Sequence, residues 1–443
     1  RGIAPGDSVA LTCPSLPECV IAYYAILKAG AVVVPLNLLL KRDEIAQQLR
    51  DSEAKIYLCY EGSAESGMGA QGHAAFELTP SCEQFWAIPA SPRGLTLLPD
   101  CASWSALFEG QPDAFESLEL SSEAICSITF TSGTTGVPKG AEHTHASEYL
   151  GTVTAAFEHG LSEDDVALSA VPLFSAYRVM ILHATFLTGS TVVLMPRFDA
   201  VAAWQAFERE RVTMFHGVGT MYHRLHEAME CAGVDFDAIA RHWRMGTCGG
   251  AALQRSIHRF LEERFGLDIR TSYGTTETIK ITSDWEPEND IEGFVGRPAV
   301  GAAIRLVDEH LNDVPVGAIG EILVRSVTRM KGYHKRPDWT AAAFDGAWFR
   351  TGALGKRDER GNLYLAGRIK DMINRGGYKV YAVEVENVLM NHPAVANAAV
   401  IGIPDARYGE EVKACVTLKE GACCTAEELI AWTRERVAAY AYP

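Results

Sequence analysis

Apolar runs and segments with helical spacing alternate along the first sixty residues. Short apolar runs predict buried strands at 8–12, 31–35 and 55–58, and the intervening segments 18–28 and 44–51 carry apolar residues at helical spacing. Because strand and helix alternate, this βαβαβ order predicts a parallel, doubly wound sheet. Residues 62–120 are rich in Gly, Ser and Pro and show no clear periodicity, so no element is predicted there.

The pattern changes twice further along the chain. Strands at 191–195 and 213–215 flank a predicted helix at 202–210, and after about residue 300 the strands 304–307 and 321–324 are spaced as a hairpin. From residue 368 the pattern predicts strands at 397–401 and 413–418 and helices at 384–390 and 427–437.

These patterns together predict an α/β fold class. We expect a large N-terminal domain, residues 1–367, with doubly wound mixed sheets and a β-rich subdomain, and a small α+β C-terminal domain, residues 368–443. A chain of 443 residues is too long for one compact core, which agrees with at least two domains.

Charge and cysteine usage exclude some classes of partner. The net charge of −16 argues against a nucleic-acid partner, because phosphate backbones select surfaces rich in Lys and Arg. No apolar run reaches the roughly 18 residues of a membrane-spanning helix. The eleven cysteines are scattered without a CxxC pair, which favours reduced thiols and a cytoplasmic location. The oligomeric state is left open.

The strongest chemical signal is a loop that follows the strand-like run 125–130. Residues 131–140 contain three glycines, four hydroxyls and the single lysine Lys139. Glycines let backbone N–H groups approach phosphate oxygens, hydroxyls add donors, and a lysine offsets the charge of a polyphosphate. The spacing is not that of a Walker A loop. We therefore predict a different kind of phosphate-binding loop.

This loop resembles that of the adenylate-forming superfamily, which unites acyl-CoA synthetases, peptide-synthetase adenylation domains and firefly-type luciferases. The resemblance continues in order through Cys248-Gly249-Gly250-Ala251, Ser272-Tyr273-Gly274-Thr275-Thr276-Glu277 and Gly367-Arg368-Ile369-Lys370-Asp371. It covers nearly the whole chain and is nearest to acyl-CoA or aryl-CoA ligases. It implies ATP, Mg²⁺ and coenzyme A as cofactors and a small-molecule carboxylic acid as substrate.

The resemblance also implies the roles of individual residues. Lys139, Thr276 and Glu277 would be catalytic, and Glu277 and Thr131 would hold Mg²⁺, for which hard oxygen ligands are suited. Lys370 would be the hinge before the small domain, and Gly376 and Gly377 would line the thiol tunnel. The nucleotide would contact Thr131, Ser132, Gly133, Thr134, Thr135, Gly136, Gly249, Gly250, Ala251, Ser272, Tyr273, Gly274, Thr275, residue 353 and Arg368.

The chain departs from the family pattern at several places. Ala353 stands where relatives carry the Asp that grips the ribose hydroxyls, Ala382 stands where Pro is common, and Ala441 stands where Lys is common. The family also continues to a lysine that assists adenylation, which would lie beyond Pro443, so we expect an incomplete C-terminal domain. Whether the three alanines are natural or engineered is left open.

The acyl pocket is predicted at Ser175, Tyr177, Arg178 and Cys248. Ser175 replaces the Asp with which amino-acid-activating relatives pair the substrate ammonium, and a neutral hydroxyl cannot offset its desolvation. A non-amino acid is therefore expected. Arg178 could pair with a polar or second carboxylate group of the acid, or it could be an ordinary solvated or salt-bridged arginine.

The predicted reaction has two steps. The carboxylate attacks the α-phosphate of ATP and releases pyrophosphate, and a thiol then attacks the acyl-adenylate and releases AMP. Positioning and charge stabilisation suffice for both steps. Two alternatives stay open: an acyl carrier protein in place of coenzyme A, and a catalytically impaired relative that only binds nucleotide.

Overall fold

The computed structural model describes residues 2–62, 67–90, 98, 101–131, 137–250, 253, 255–284 and 293–443. The chain packs into two compact units. Unit 1 contains residues 1–290, 298–303 and 325–347, and unit 2 contains residues 291–297, 304–324 and 348–443. The domain boundary predicted after residue 367 lies within unit 2, before the last residue of the strand Leu363–Arg368, and stays a prediction.

The first sheet, sheet 1, belongs to unit 1. Its part of the chain forms β1 (Ser8–Thr12), α1 (Pro17–Lys28), β2 (Val32–Pro35), α2 (Arg42–Asp51), β3 (Ile56–Tyr60), α3 (Met68–Glu77), β4 (Gln84–Ile88), β5 (Ala102–Ser103), β6 (Ile125–Phe130), β7 (Gly140–Thr144) and α4 (His145–Glu158). β1 lies between β2 and β3 and is parallel to both, as predicted. β6 and β7 are antiparallel, so the sheet is mixed.

Helix α3 and strand β4 lie in the region for which no element was predicted. α3 packs closely on the sheet through glycines: a Cβ on Gly69 would meet the backbone of Glu61, and one on Gly72 would meet the Cys59 Sγ. Helix-contact positions occupied by glycine lack the apolar periodicity that indicates a helix. The sequence of α3 therefore lacks the apolar periodicity of a helix, although the helix is tightly packed.

The second sheet, sheet 2, is also in unit 1. It involves β8 (Val166–Ser169), α5 (Ala184–Thr188), β9 (Thr191–Leu194), α6 (Ala200–Arg209), β10 (Met214–Gly217), α7 (Gly219–Glu227), α8 (Met229–Ala232), α9 (Phe236–Ala240), β11 (Met245–Cys248), α10 (Arg255–Phe265) and β12 (Asp268–Thr271). The strands run in the order β12-β11-β10-β8-β9, and all are parallel. An aromatic core around Trp204 and Trp243 covers one face.

The following segment contributes to both units. It forms β13 (Thr282–Ser283), β14 (Phe294–Pro298), β15 (Ala302–Val307), β16 (Gly320–Ser326), β17 (Gly332–Tyr333), α11 (Pro337–Ala343), β18 (Phe344–Asp345), β19 (Trp348–Arg357) and β20 (Leu363–Arg368). β15 and β16 are neighbours, which confirms the predicted hairpin. β17 pairs antiparallel with β7 and completes the edge of sheet 1.

The last part of unit 2 is the predicted α+β module. It forms β21 (Met372–Arg375), β22 (Tyr378–Tyr381), α12 (Ala382–Met390), β23 (Val395–Asp405), β24 (Gly409–Leu418) and α13 (Ala426–Arg434), with the sheet order β22-β21-β24-β23. Ala382 and Ala441 are both buried in its core. Within the described residues, no helix has the length and hydropathy needed to cross a membrane.

Candidate active site

The predicted phosphate loop leaves sheet 1 between β6 and β7. The ends of the loop are tied together, because the Thr131 N–H donates to the Lys139 carbonyl at 2.9 Å and the Lys139 N–H donates to the Thr131 Oγ1 at 3.4 Å. The predicted residues Ser132, Gly133, Thr134, Thr135 and Gly136 lie outside the described residues. These two hydrogen bonds between Thr131 and Lys139 hold Lys139 at the point where β7 begins.

The Lys139 ammonium lies between two aromatic rings. Its Nζ is 5.2 Å from the ring centroid of Tyr333 and 5.3 Å from that of Trp339. Cation–π contacts of this kind orient a cation without neutralising it. Among the described side chains, no carboxylate pairs with Lys139. Its charge is therefore available to an anionic ligand.

Tyr333 connects Lys139 to Glu277. The Tyr333 hydroxyl donates to the Glu277 Oε1 at 2.8 Å, while its ring contacts the lysine. The register of β17 on β7 sets this position, because Tyr333 is directly opposite Ala141. Two of the three predicted catalytic residues are thus brought together by a tyrosine. The sequence analysis assigned no role to Tyr333 or Trp339.

The turn that carries Thr276 and Glu277 is held through its backbone. The Thr276 carbonyl accepts a hydrogen bond from the His143 Nε2 at 2.7 Å, and the Glu277 carbonyl accepts one from the Met330 N–H at 2.6 Å. A side chain at Gly274 would collide with the Ile279 carbonyl, so only glycine fits there. Within the part of the chain described, the Thr276 hydroxyl and the second oxygen of Glu277 have no hydrogen-bond partner.

Two of the predicted nucleotide-binding turns adjoin each other at the ends of β11 and β12. The Ser272 N–H donates to the Cys248 carbonyl at 3.1 Å, and the Tyr273 N–H donates to the Thr282 Oγ1 at 3.1 Å. Gly250 has a φ of +74°, in the left-handed region that favours glycine. Ala251 lies outside the described residues. Ligands of parallel sheets bind at the carboxyl ends of the strands, which is where these turns lie.

Two of the predicted acyl-pocket residues adjoin these turns. The Tyr177 ring lies against Gly249, where an added Cβ would be 3.3 Å from the Tyr177 Cε2. The Tyr177 hydroxyl is 2.9 Å from the Thr247 Oγ1, which is 2.8 Å from the His216 Nδ1. Cys248 is fully buried, and burial raises its pKa to about 12, so the thiol stays protonated and is a poor nucleophile.

Ser175 and Arg178 belong to a turn that is fixed from the protein interior. The Ser175 Oγ donates to the Pro172 carbonyl at 3.2 Å. Arg178 is 1% exposed and forms an ion pair with Glu148 at 2.6 Å. All five N–H groups of its guanidinium have acceptors: the Tyr23 Oη, the Thr129 Oγ1, the Ser175 O, the Ser127 Oγ and the Glu148 Oε1.

This geometry corrects the assignment of Arg178 to the acyl pocket. Of the two alternatives for this residue, the structure has the salt-bridged arginine. Burial by itself would raise the pKa of Glu148, but the Arg178 charge and His183 hold that pKa well below its usual range. A guanidinium with no free donor cannot also bind a polar group of the acid. The sequence analysis did not identify Glu148, which lies on α4, outside the matched motifs.

The remaining predicted residues lie in unit 2. Ala353 on β19 is directly opposite Arg368 on β20, and the Arg368 side chain is exposed. Lys370 follows in a 3-10 turn, with its ammonium 3.9 Å from Asp371. Gly376 and Gly377 form the tight turn between β21 and β22, with φ values of +60° and +91°. A two-residue hairpin with both φ values positive requires residues such as glycine.

Family comparisons agree with this arrangement. Residues 1–334 match the AMP-binding enzyme family, and residues 384–443 match the AMP-binding enzyme C-terminal domain. This chain belongs to the AMP-binding enzyme family. The predicted membership of the adenylate-forming superfamily is thereby confirmed.

Relatives of this chain include CoA ligases, and the chain also resembles solved structures. The chain is 34% identical to a feruloyl-CoA synthase from Amycolatopsis sp and 33% identical to a 2-succinylbenzoate–CoA ligase from Bacillus licheniformis; in both comparisons all of the chain is covered, with 84% and 85% of the relative. ATP-bound MatB from Rhodopseudomonas palustris matches with a TM-score of 0.89 at 29% identity, over the whole chain and 84% of MatB. The predicted fold class is confirmed.

A second solved structure bears on the cofactors. O-succinylbenzoate coenzyme A synthetase (MenE) from Bacillus subtilis, in complex with ATP and a magnesium ion, matches with a TM-score of 0.82 at 29% identity, over the whole chain and 85% of that protein. The predicted ATP, Mg²⁺ and coenzyme A are therefore the cofactors of this family of ligases.

Proposed function

We propose that this chain activates a non-amino carboxylic acid with ATP and transfers the acyl group to the thiol of coenzyme A. The observation that carries the proposal is the triad Lys139–Tyr333–Glu277, in which one tyrosine orients a cation and a carboxylate beside the open hydroxyl of Thr276. A positive charge, a hydroxyl donor and a hard oxygen ligand are the groups that a phosphate-transfer reaction uses.

In the first step, a carboxylate oxygen of the acid forms a bond to the α-phosphorus of ATP. The bond from that phosphorus to the bridging oxygen breaks, and pyrophosphate leaves with the electron pair. Lys139 and the loop that starts at Thr131 bind the departing phosphates, and the Thr276 hydroxyl donates to the α-phosphate. None of these residues forms a covalent bond, because the task is positioning and charge stabilisation.

The donor atoms at this site fit Mg²⁺. Glu277 has one oxygen without a partner among the described residues, and its other oxygen is oriented by Tyr333. With Thr131 it supplies the hard oxygen ligands that Mg²⁺ prefers. When bound, Mg²⁺ screens the triphosphate charge that an anionic carboxylate must approach.

In the second step, the thiol loses its proton to solvent, its sulfur forms a bond to the acyl carbon, and AMP leaves with the electrons of the acyl–oxygen bond. We assign the thiol path to the Gly376–Gly377 turn of unit 2, on the side of Gly377, where a Cβ would meet nothing within 4 Å and a slender pantetheine arm has room; at Gly376 the Tyr408 ring occupies the space. Lys370 is the proposed hinge. Coenzyme A is the acceptor that the names of the relatives support, and an acyl carrier protein is kept as an outcome of the experiment.

The proposed acid is a small molecule without an ammonium group. Ser175 is neutral, and the Glu148 carboxylate is already paired with Arg178. The polar line Tyr177–Thr247–His216 behind the turn presents hydroxyls and an imidazole rather than a carboxylate. An amino acid would therefore bury its ammonium without an anionic partner.

Acid-dependent ATP–pyrophosphate exchange tests the first step, with a panel of aryl, alicyclic and fatty acids and with amino acids as negative controls. Thioester formation with coenzyme A, or with a phosphopantetheinylated carrier protein, then identifies the acceptor. ATP binding without exchange on any acid would instead favour the impaired relative, an alternative that Ala353 keeps open. Exchange that is strongest with amino acids would contradict the proposal.

A further inference from the structure

His143 makes a contact with the proposed catalytic turn that no motif indicated. It lies on β7, four positions after Lys139, and only 1% of its surface is exposed. On this strand Gly140, Glu142 and Thr144 alternate with it, so its side chain is on the opposite face from theirs. Its Nε2 is 2.7 Å from the carbonyl oxygen of Thr276.

The partners of the ring define its tautomer. A carbonyl oxygen can only accept, so the Nε2 must carry the proton that is donated to Thr276. Burial lowers the pKa of His143, which keeps the ring neutral. The Nδ1 of a neutral ring is then an acceptor, and the Ser147 hydroxyl lies 3.4 Å from it. Ser147 in turn caps α4 together with Thr144, so the imidazole is anchored to rigid structure on its far side.

The two carbonyls of the turn are held in different ways. The Glu277 carbonyl is bound by a backbone N–H, that of Met330, and no substitution at Met330 other than proline would remove that donor. The Thr276 carbonyl is bound by a side chain, across 133 positions of sequence. The orientation of the peptide between Thr276 and Glu277 therefore depends on one replaceable donor.

We infer that His143 is a positioning residue for adenylation, which holds the Thr276 carbonyl so that the Thr276 hydroxyl and the Glu277 carboxylate face the phosphates. The inference rests on the proposed roles of Thr276 and Glu277. His143 does not touch substrate. Through β7 it ties the turn to the strand that begins directly after Lys139, so the cation and the hydroxyl keep a fixed separation.

Two substitutions separate this role from simple packing. His143→Leu fills similar space without a donor, and His143→Gln retains an N–H near the position of Nε2. We expect His143→Leu to lower the kcat of ATP–pyrophosphate exchange about ten- to a hundredfold, the scale for a misplaced catalytic group, with less change in the KM for ATP. His143→Gln should recover most of that loss. His145→Leu, on the same segment but without a hydrogen bond to the turn, is the matched control.

Spectroscopy of the resting protein gives a readout that does not depend on activity. Nitrogen-15 NMR of labelled histidines should find His143 neutral and protonated on Nε2, and an Nδ1–H tautomer would overturn the inference. So would unchanged kcat in His143→Leu, or an equal loss in the Leu and Gln variants at equal thermal stability. If the unmodified protein shows no exchange with any acid, the proposed function fails, while the tautomer still tests the contact.

Discussion

Ala353 and Arg368 are directly opposite each other in the antiparallel pair of β19 and β20. Side chains at such positions share one face of the sheet, with Cβ atoms about 5 Å apart. Ala353, the proposed ribose-side position, therefore lies next to Arg368, which has no carboxylate partner among the described side chains. Arg368 would orient an aspartate at position 353, and the carboxylate would then have a cation beside it.

The first prediction follows from this pairing. Ala353→Asp should strengthen ATP binding by about one to two powers of ten, because hydrogen bonds to a charged group contribute roughly 1.5–3 kcal/mol. Calorimetry with ATP measures the gain, which should largely disappear with 2′,3′-dideoxy-ATP. An equal gain with the dideoxy nucleotide would mean that the carboxylate acts elsewhere than on the ribose.

Lys139 is the second test. Lys139→Met keeps the aliphatic stem between Tyr333 and Trp339 but removes the charge. We expect ATP affinity to fall by about ten- to a hundredfold, since a charge-assisted contact worth roughly 1.5–3 kcal/mol is lost, while the melting temperature stays the same. If both the ATP affinity and the melting temperature were unchanged, Lys139 would belong to an ordinary surface turn rather than to a phosphate-binding loop.

The two rings around Lys139 should have separable effects. Tyr333→Phe removes the hydrogen bond to Glu277 and keeps a ring near the ammonium, so the Mg²⁺ concentration for half-maximal exchange should rise by up to about tenfold. Trp339→Leu leaves the Glu277 bond intact and should raise the KM for ATP without shifting the Mg²⁺ requirement. Identical behaviour of the two variants would contradict the distinct roles drawn from the geometry.

The Arg178–Glu148 pair should dominate local stability. Arg178→Met leaves a buried carboxylate without its partner and should cost about 3–5 kcal/mol in the free energy of unfolding. The double variant Arg178→Met with Glu148→Leu should recover much of this loss, since no unpaired charge is left. Arg209→Met, which breaks an exposed pair with Glu210, is the control and should change stability by less than about 1 kcal/mol.

We expect the free energy of unfolding to depend on pH because of His216. Burial, with the charges of Lys280 and Arg244, lowers its pKa to about 4 from an ordinary value of 6.5. Between these values the unfolded chain binds a proton that the folded chain does not, so stability falls as pH falls. From pH 7 to pH 5 this histidine should account for about 2 kcal/mol. His216→Gln should flatten the profile by that amount, as measured by denaturant unfolding at pH 7 and pH 5.

Strong periodicity and contiguous motifs were readable from the sequence. The strands β1, β2 and β3 were predicted within a residue or two, because buried parallel strands leave unbroken apolar runs such as 31–35. The close-packed helix α3 was not predicted, because its contact positions Gly69 and Gly72 have no apolar side chains.

The contacts that complete the site could not be predicted from the sequence. Tyr333 meets Glu277 across 56 positions and His143 meets Thr276 across 133, and both depend on the register of β7 with its neighbours. Arg178 was ambiguous for a related reason. Its partner Glu148 is one of many helical glutamates in the sequence, and only the packing of α4 against the turn distinguishes it.

The pairing of β17 with β7 also sets an order of events during synthesis. β7 ends at Thr144, but the strand that covers its outer edge begins only at Gly332. Until the ribosome has released that segment, the backbone of β7 is an uncovered edge, which is a template for association with other chains. Lys139 meanwhile lacks its aromatic neighbours and Glu277 lacks its tyrosine. An interrupted translation product would thus carry the risk of aggregation without the capacity to bind nucleotide.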